Sequence, residues 1–160
     1  MSDFLDLAIG HDLIDHGTSD DHYTPPHIFE ALGLTFDMDV SAPPGGVPWI
    51  PARRSIDVIE DGLATPWEGL VWCNPPYSSQ KAWITKFLKH NNGLILLPIY
   101  KDDSTRTIWK NASAIALIND DIHFIISGGK RKRIMMPCFL SAMGNVAVKA
   151  LKASGLGHVR

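Results

Sequence analysis

The sequence is organised around one stretch, Trp72-Cys73-Asn74-Pro75-Pro76-Tyr77-Ser78. It follows the apolar residues 70–72, which are typical of a buried strand, and it precedes a patterned helix that begins near Ser79. An amide, two prolines and an aromatic ring form an unusual loop if packing is its only task. Because open α/β sheets place their ligands beyond the carboxyl ends of their strands, this loop is the predicted catalytic site.

The residue types in this loop suit an amino group as the ligand. Proline lacks an N–H and has a fixed φ angle, so Pro75 and Pro76 stiffen the loop and leave carbonyls without local partners. The Asn74 side-chain oxygen and the Pro75 carbonyl can both accept from one NH2 group, which has two hydrogens to donate. Tyr77 adds a flat face for stacking a planar ring. Asn74, Pro75, Pro76 and Tyr77 are therefore the predicted catalytic residues, acting through alignment and preorganised electrostatics.

Further motifs occur in a fixed order along the chain: Tyr23-Thr24-Pro25-Pro26, residues 36–42, Asp61-Gly62-Leu63 with Trp67, residues 72–78, and Leu96-Leu97-Pro98. This ordered set, covering roughly residues 22–145, resembles the phage-type DNA N6-adenine methyltransferase family. The resemblance implies a Rossmann-like fold that binds S-adenosyl-L-methionine (AdoMet). It also implies DNA as the partner and methyl transfer to the N6 amine of an adenine flipped out of the duplex.

The resemblance also implies a set of cofactor-binding residues. A Thr-Pro helix start, here Thr24-Pro25, borders the methionine end of AdoMet in the family. Asp39, at the end of a strand, belongs to the AdoMet site, and the small-residue turn at 41–46 lets a cofactor approach the backbone. In the family, an acidic residue in the position of Asp61 accepts a hydrogen bond from the amino group of the AdoMet adenine. The predicted cofactor-binding residues are Tyr23, Thr24, Asp39, Ser41, Asp61 and Asn74.

The pattern of apolar segments predicts an α/β fold. Strands at 35–40, 70–72, 94–97 and 114–118 alternate with helices, which favours a mainly parallel sheet covered on both faces. In the first strand, Phe36, Met38 and Val40 alternate with aspartates, which predicts one wet face. Residues 122–126 and 134–143 are expected to close the fold as an antiparallel hairpin.

The segment between Asp39 and Asp61 is too short for the helices and strand of a full methyltransferase. Its prolines and the Arg53-Arg54 pair indicate irregular structure. The predicted fold class is therefore an abbreviated Rossmann-like AdoMet-dependent methyltransferase sheet, mostly parallel, with an antiparallel C-terminal hairpin. The sequence leaves open whether a second subunit of a homo-oligomer completes the cofactor pocket.

Length and composition bound the remaining expectations. With 160 residues, 45% hydrophobic and 20% charged, residues 22–160 are expected to form one methyltransferase domain, preceded by an acidic N-terminal arm at 1–21. The sequence shows no secretory segment and no long apolar span, so we expect a cytoplasmic protein without membrane contact. The histidines and the two cysteines lack metal-binding spacing, and no metal is expected.

The net charge of -2 creates no general attraction to DNA, so a local patch must supply it. We expect that patch in four consecutive cations after Gly128-Gly129, on a hairpin tip that contacts phosphate: Lys130, Arg131, Lys132 and Arg133.

Three alternatives keep the chemistry and change the acceptor: cytosine N4, an RNA base or a protein glutamine amide. They stay open because RNA and protein-glutamine methyltransferases share the Asn-Pro-Pro-Tyr signature. A fourth alternative is a nucleic-acid-binding module without catalysis, which the shortened segment after Asp39 favours.

Overall fold

The computed structural model describes residues 22–126, 130–133 and 137–160, with the backbone alone at 131–133. The N-terminal arm predicted at 1–21 lies outside these residues. The helices are α1 (Pro26–Leu32), α2 (Gln80–His90), α3 (Asp103–Asn111) and α4 (Asn145–Ala153). The strands are β1 (Phe36–Asp39), β2 (Ala52–Ser55), β3 (Val71–Cys73), β4 (Gly93–Pro98), β5 (Ala114–Ile118), β6 (His123–Ile125), β7 (Arg131–Arg133), β8 (Cys138–Met143) and β9 (Gly157–Val159).

The main sheet has seven strands in the order β2-β1-β3-β4-β8-β5-β9. Neighbours from β2 to β4 are parallel, whereas β8 is antiparallel to both β4 and β5, and β9 is antiparallel to β5. The α/β class is confirmed. The sheet is mixed: β1–β5 all run in one direction, as predicted for a mostly parallel sheet, whereas β8 and β9 run in the opposite direction. The chain returns in the opposite direction before β8, and β8 inserts between two strands that were expected to be neighbours.

The predicted C-terminal hairpin is wrong in its pairing. All six residues of β8 are buried in the centre of the main sheet, as expected for an apolar strand that both neighbours and both faces cover. The strand β6 pairs instead with β7 in a separate two-stranded sheet. The cations 131–133 therefore lie in a strand, and Lys130 alone lies closer to the tip.

Helices cover both faces of the main sheet. The apolar residues of α1 and α4 pack with Trp72, Leu94 and Leu140 on one face. Those of α2 and α3 pack with Val71, Ile95 and Phe139 on the other face. Consecutive side chains of β3 therefore pack in the cores on opposite faces of the sheet. The prediction of helices on both faces is confirmed.

The first strand differs from its predicted pattern. The backbone N–H groups of Asp37 and Met38 both donate to the Leu70 carbonyl, at 2.8 and 3.4 Å, which is a bulge-like irregularity. It places Phe36 in one core and Met38 in the other. Asp39 is 2% exposed, so the predicted wet face is wrong. The segment after β1 is irregular as expected up to Pro51, but Ala52–Ser55 forms the edge strand β2.

The direction of strand addition reverses between β1 and β3. The chain adds β2 on one side of β1, whereas β4 lies on the far side of β3. Asp39 is in register with Trp72, so the carboxyl ends of β1 and β3 lie side by side. Such a reversal opens a crevice at the carboxyl edge of a sheet, where ligands bind in open α/β folds. The Asn74 loop leaves β3 at this edge.

The turn that leads into β3 depends on one aspartate and one glycine. The N–H of Leu70 donates to Asp37 Oδ2 at 2.7 Å. Gly69 adopts φ +67°, and a Cβ there would lie 2.2 Å from Asp37 Oδ2. An alanine must therefore both accept a left-handed backbone and displace the carboxylate that orients the strand.

We predict that Gly69→Ala lowers the free energy of unfolding by about 3 kcal/mol or more, measured by urea denaturation. Gly155→Ala is the matched control, because Gly155 has φ +70° and open space around its Cβ position. The control should lose only about 1–2 kcal/mol, the cost of the left-handed backbone alone. Equal losses in the two variants would contradict a role for the Asp37 contact.

Candidate active site

Hydrogen bonds orient the Asn74 side chain at the mouth of β3. Asn74 Nδ2 donates to the His22 carbonyl at 2.6 Å and to the Thr24 hydroxyl at 3.2 Å. Because a carbonyl can only accept, the amide nitrogen must face His22. Within the described part of the chain, no donor is directed at Asn74 Oδ1. The side-chain oxygen thus remains the acceptor that the sequence analysis assigns to a ligand.

The segment 22–24 is itself fixed by its surroundings. Trp49 Nε1 donates to the Thr24 carbonyl at 2.8 Å. Tyr23 exchanges two backbone hydrogen bonds with Ile125 of β6, at 2.7 and 2.9 Å. The segment therefore connects the Asn74 loop to the β6–β7 hairpin, on which Lys130–Arg133 lie.

A threonine before Pro25-Pro26 is typical of a helix N-cap, and the sequence therefore predicts that Thr24 caps α1, but this prediction is wrong. The N-cap position is Pro25, and no side chain caps the helix. Thr24 is 1% exposed, and its hydroxyl accepts from Asn74 instead. Glycine commonly ends helices in the left-handed conformation, so the sequence predicts the end of α1 at Gly33, and this is confirmed by Gly33 at φ 62°.

The Tyr77 ring is covered on one side by His22. The two ring centroids are 5.4 Å apart with an interplanar angle of 27°, and His22 also meets Phe124 edge-on at 5.9 Å. Because the histidines lack metal-binding spacing, the sequence favours a solvated side chain for His22, and the structure differs. Its position next to the Tyr23-Thr24 motif was the available signal that it belongs to the site.

Asp39 is a buried carboxylate beside the Asn74 loop. Among the described residues, its one hydrogen-bond partner is the Ser41 N–H, which donates to Oδ1 at 3.3 Å. Burial raises the pKa of Asp39 from 3.8 to about 7, and the Ser41 hydrogen bond offsets part of that rise. Ser41 also connects the two strand ends, because its Oγ accepts from the Asn74 backbone N–H at 3.0 Å.

A cavity of about 330 Å³ lies at this crevice. Its volume is within the range of small-molecule sites, and its lining is mainly apolar with convergent polar groups. Five of the six predicted cofactor residues line it, namely Tyr23, Thr24, Asp39, Ser41 and Asn74.

The sixth residue, Asp61, lines an adjacent cavity of about 320 Å³. The two cavities share Ser41, Ala42, Val58 and Pro76 as lining residues. Asp61 is exposed in a left-handed turn, and its Oδ1 accepts from the Leu63 N–H at 3.0 Å.

Sequence reasoning missed Asp57, which lines the second cavity. Asp57 follows β2, and its Oδ1 accepts from the N–H groups of Ile59 and Glu60. An acidic residue just after a parallel strand was the available signal, but the surrounding segment was taken as irregular. Three carboxylates therefore line the paired cavities: Asp39, Asp57 and Asp61.

The remaining predicted residues occupy different surroundings. Pro75 is buried, and Pro76 is half-buried at the boundary of the two cavities. Lys130 is exposed, and Arg131, Lys132 and Arg133 pair through their backbone with Ile125, Phe124 and His123.

The chain was compared with known proteins. Residues 14–139, more than three quarters of the sequence, match the family model for DNA N-6-adenine-methyltransferase (Dam). The chain belongs to the Dam family. Neither the curated proteins nor the solved structures contain a match. The family methylates N6 of adenine in DNA, and AdoMet is the methyl donor that this activity implies. The resemblance read from the ordered motifs is confirmed.

Other features of this Dam-family chain concern membranes and metals. The longest helix among the described residues is α2 with 11 residues, and no described helix could cross a membrane. The same residues contain no cluster of three or more His, Cys, Asp or Glu side chains suited to a metal ion.

The raised pKa of Asp39 predicts a pH-dependent stability in the ligand-free protein. The folded state favours the protonated carboxyl, so this contribution is fully present below pH 3.8 and is lost as the pH rises through about 7. Asp39→Asn should remove this pH-dependent loss in the free energy of unfolding, which is of the order of a few kcal/mol. Urea unfolding at about pH 5 and pH 8 measures the effect. Asp120→Asn, at an exposed position, is the control. If the stability of Asp39→Asn changed with pH as much as that of the wild-type protein, Asp39 would not be the group responsible.

Proposed function

We propose that this chain transfers the AdoMet methyl group to N6 of an adenine that is flipped out of duplex DNA. The observation that carries the proposal is the orientation of Asn74. Its amide hydrogens are directed at His22 and Thr24, which leaves Oδ1 as an acceptor at the edge of the cavities. An aromatic amine has two hydrogens that such an acceptor and the Pro75 carbonyl can share.

The paired cavities fit AdoMet by the chemistry of their lining. AdoMet presents hydrogen-bond donors at its ammonium group, its ribose hydroxyls and its adenine amine. The cavities supply three carboxylates, and Asp39 is a buried acceptor with a single backbone partner. We assign Asp39, Thr24 and Tyr23 to the methionine end, and Asp57 and Asp61 to the adenosine end. An ammonium group near Asp39 lowers the pKa of that carboxyl again and offsets the cost of its burial.

When bound, AdoMet supplies an electrophilic methyl group on its sulfonium. The residues of this chain need to hold the acceptor nitrogen and direct its lone pair. Asn74 Oδ1 and the Pro75 carbonyl accept hydrogen bonds from the two amine hydrogens, which leaves the nitrogen lone pair free to attack. Once the nitrogen carries the methyl group, it loses one of the two protons to solvent. The Asn74 amide is already fixed before the base arrives, so little reorganisation is needed during the reaction.

The base must leave the duplex, because N6 of a paired adenine is stacked inside the helix. Stacking on Tyr77 compensates part of the unstacking cost. His22 covers one Tyr77 face at 5.4 Å between ring centroids, so the base uses the other face or displaces the imidazole. The strand order, which reverses between β1 and β3, is compatible with an abbreviated Rossmann-like sheet.

We further propose that Lys130–Arg133 contact DNA phosphates. The observation that supports this role is the hydrogen bonding of Tyr23 to β6, the strand that pairs with β7. The basic hairpin is thereby joined to the segment that orients Asn74. Phosphate contacts at this hairpin would set the position of the duplex and carry no base specificity.

AdoMet binding separates an enzyme from a non-catalytic module. A ligand that binds only the folded state at about 100 times its Kd adds about 2.7 kcal/mol, which raises the Tm by about 5–10 °C. We predict such a rise for the wild-type protein and a loss of most of it in Asp39→Ala. Differential scanning calorimetry measures both values. No heat of binding and no shift at millimolar AdoMet would favour the non-catalytic alternative.

Asn74→Ala is predicted to reduce methyl transfer by at least about a hundredfold, because it removes an acceptor that aligns the reacting amine. The affinity for AdoMet should fall far less than the rate, because Asp39, Asp57 and Asp61 still line the cavities. The assay incubates purified protein with labelled AdoMet and DNA, and it analyses the digested nucleosides by mass spectrometry.

Asn111→Ala is the control, since Asn111 is exposed on α3. Full activity of Asn74→Ala on purified DNA would overturn the assigned role. The same assay separates the other acceptors: methyl-cytosine would favour cytosine N4. Label in RNA or protein but not in DNA would favour an RNA base or a glutamine amide.

A further inference from the structure

A large groove lies along α2, outside the paired cavities. Its volume is about 1260 Å³, and it begins at Tyr77 of the catalytic loop and extends to His90 at the end of the helix. Leu63 and Trp67 line one wall, and Asp102 and Ser104, at the start of α3, line another. Apart from Tyr77, the function proposed above uses no residue of this groove.

Gln80 lies at the end of the groove nearest the catalytic loop. The residue is 6% exposed, and its Nε2 has no hydrogen-bond partner in the described structure. A buried amide that donates to nothing is costly, so such a group calls for an acceptor from outside the chain. The first turn of α2 is also without a side-chain cap, which leaves the positive end of the helix dipole available to an anion.

Cations continue along the same groove. Lys81 and Lys89 are exposed, and with Thr85 they form a stripe at intervals of four residues. The stripe is about 12 Å long from the helical rise, which spans about three phosphates of one strand at 3.4 Å each. Asp102 is the one acidic residue in the described lining.

The positions of Lys81, Lys86 and Lys89 opposite the apolar residues of α2 predict that all three face outward, but the structure places Lys86 differently. Its Nζ donates to the carbonyls of Gly62, Leu63 and Thr65, and it lies 4.9 Å from the Trp67 ring centroid. Burial lowers the pKa of Lys86. Lys86 therefore holds the wall of the groove, and Lys81 and Lys89 are the cations available to a ligand.

We propose that the α2 groove binds the phosphodiester backbone of the substrate DNA beside the flipped base. Gln80 Nε2 and the N-terminus of α2 bind the phosphate nearest the catalytic loop. Lys81 and Lys89 bind further phosphates of the same strand. This contact is additional to the Lys130–Arg133 hairpin, and it rests on the proposed function.

The test measures how DNA affinity depends on salt. Fluorescence anisotropy with a short labelled duplex, between about 50 and 200 mM salt, gives the slope of log K against log salt. Lys81→Gln/Lys89→Gln should make that slope shallower by about 1.8, because each lost phosphate contact is worth about 0.9. Lys149→Gln/Lys152→Gln on the exposed side of α4 is the matched control with the same change in net charge. It should leave the slope nearly unchanged.

Gln80→Met tests the buried donor separately. Methionine has a similar shape without the N–H groups, so the Tm should stay the same or rise, whereas DNA affinity should fall about tenfold. Leu88→Met, on the same helix, is the control for placing a methionine there. A folded Gln80→Met variant with wild-type DNA affinity would overturn the role of Gln80.

The outcomes also separate this inference from the proposed function. Suppose that the wild-type protein methylates adenine and that both lysine double variants keep the salt slope of the wild-type protein. The groove is then not a DNA contact, and the proposed activity stands. If the wild-type protein binds AdoMet or DNA in no measurable amount, the proposed function itself fails. A shallower slope only in Lys81→Gln/Lys89→Gln supports the groove.

Discussion

The site depends on the hydrogen bonds from the Asn74 amide to the His22 carbonyl and the Thr24 hydroxyl. They connect the loop after β3 to a segment 52 residues earlier in the chain. Because the acceptors fix which end of the amide faces inward, the same contacts hold the loop and expose its oxygen. Structural stability and the proposed chemistry therefore share one set of atoms.

The burial of Asp39 has an electrostatic cost. Asp39 is buried with a single backbone hydrogen bond, and its pKa of about 7 reflects the cost of a desolvated charge. A protein selected only for stability would have an apolar residue at the end of β1. A carboxylate at this position is consistent with a cationic or hydroxyl-bearing ligand, which restores the missing partners. Buried and poorly satisfied polar groups of this kind concentrate at functional sites.

The segment between β1 and β2 contains no helix that could contact a ligand. In a dinucleotide-binding fold, a helix follows the first strand and directs its N-terminus at the ligand. Residues 40–51 contain no such helix in this structure, and in the proposed cofactor site side chains line the crevice instead. Asp39 and Ser41 come from the strand end and turn, and Tyr23 and Thr24 come from the segment before α1.

The sequence by itself determined the family, the α/β class and most helix and strand positions. These depend on local periodicity and on ordered motifs, and both can be read along the chain. It also selected five residues that line one cavity: Asn74 through the chemistry of its loop, and the other four through the resemblance to the family's ordered motifs. Only the tertiary structure decided the position of β8 between β4 and β5, the irregularity in β1 and the burial of Asp39. The tertiary structure alone also decided that the Thr24 hydroxyl accepts from the Asn74 amide and that the His22 ring stacks on the Tyr77 ring. Each of these is a choice among distant partners, and the local pattern is the same whichever partner is chosen.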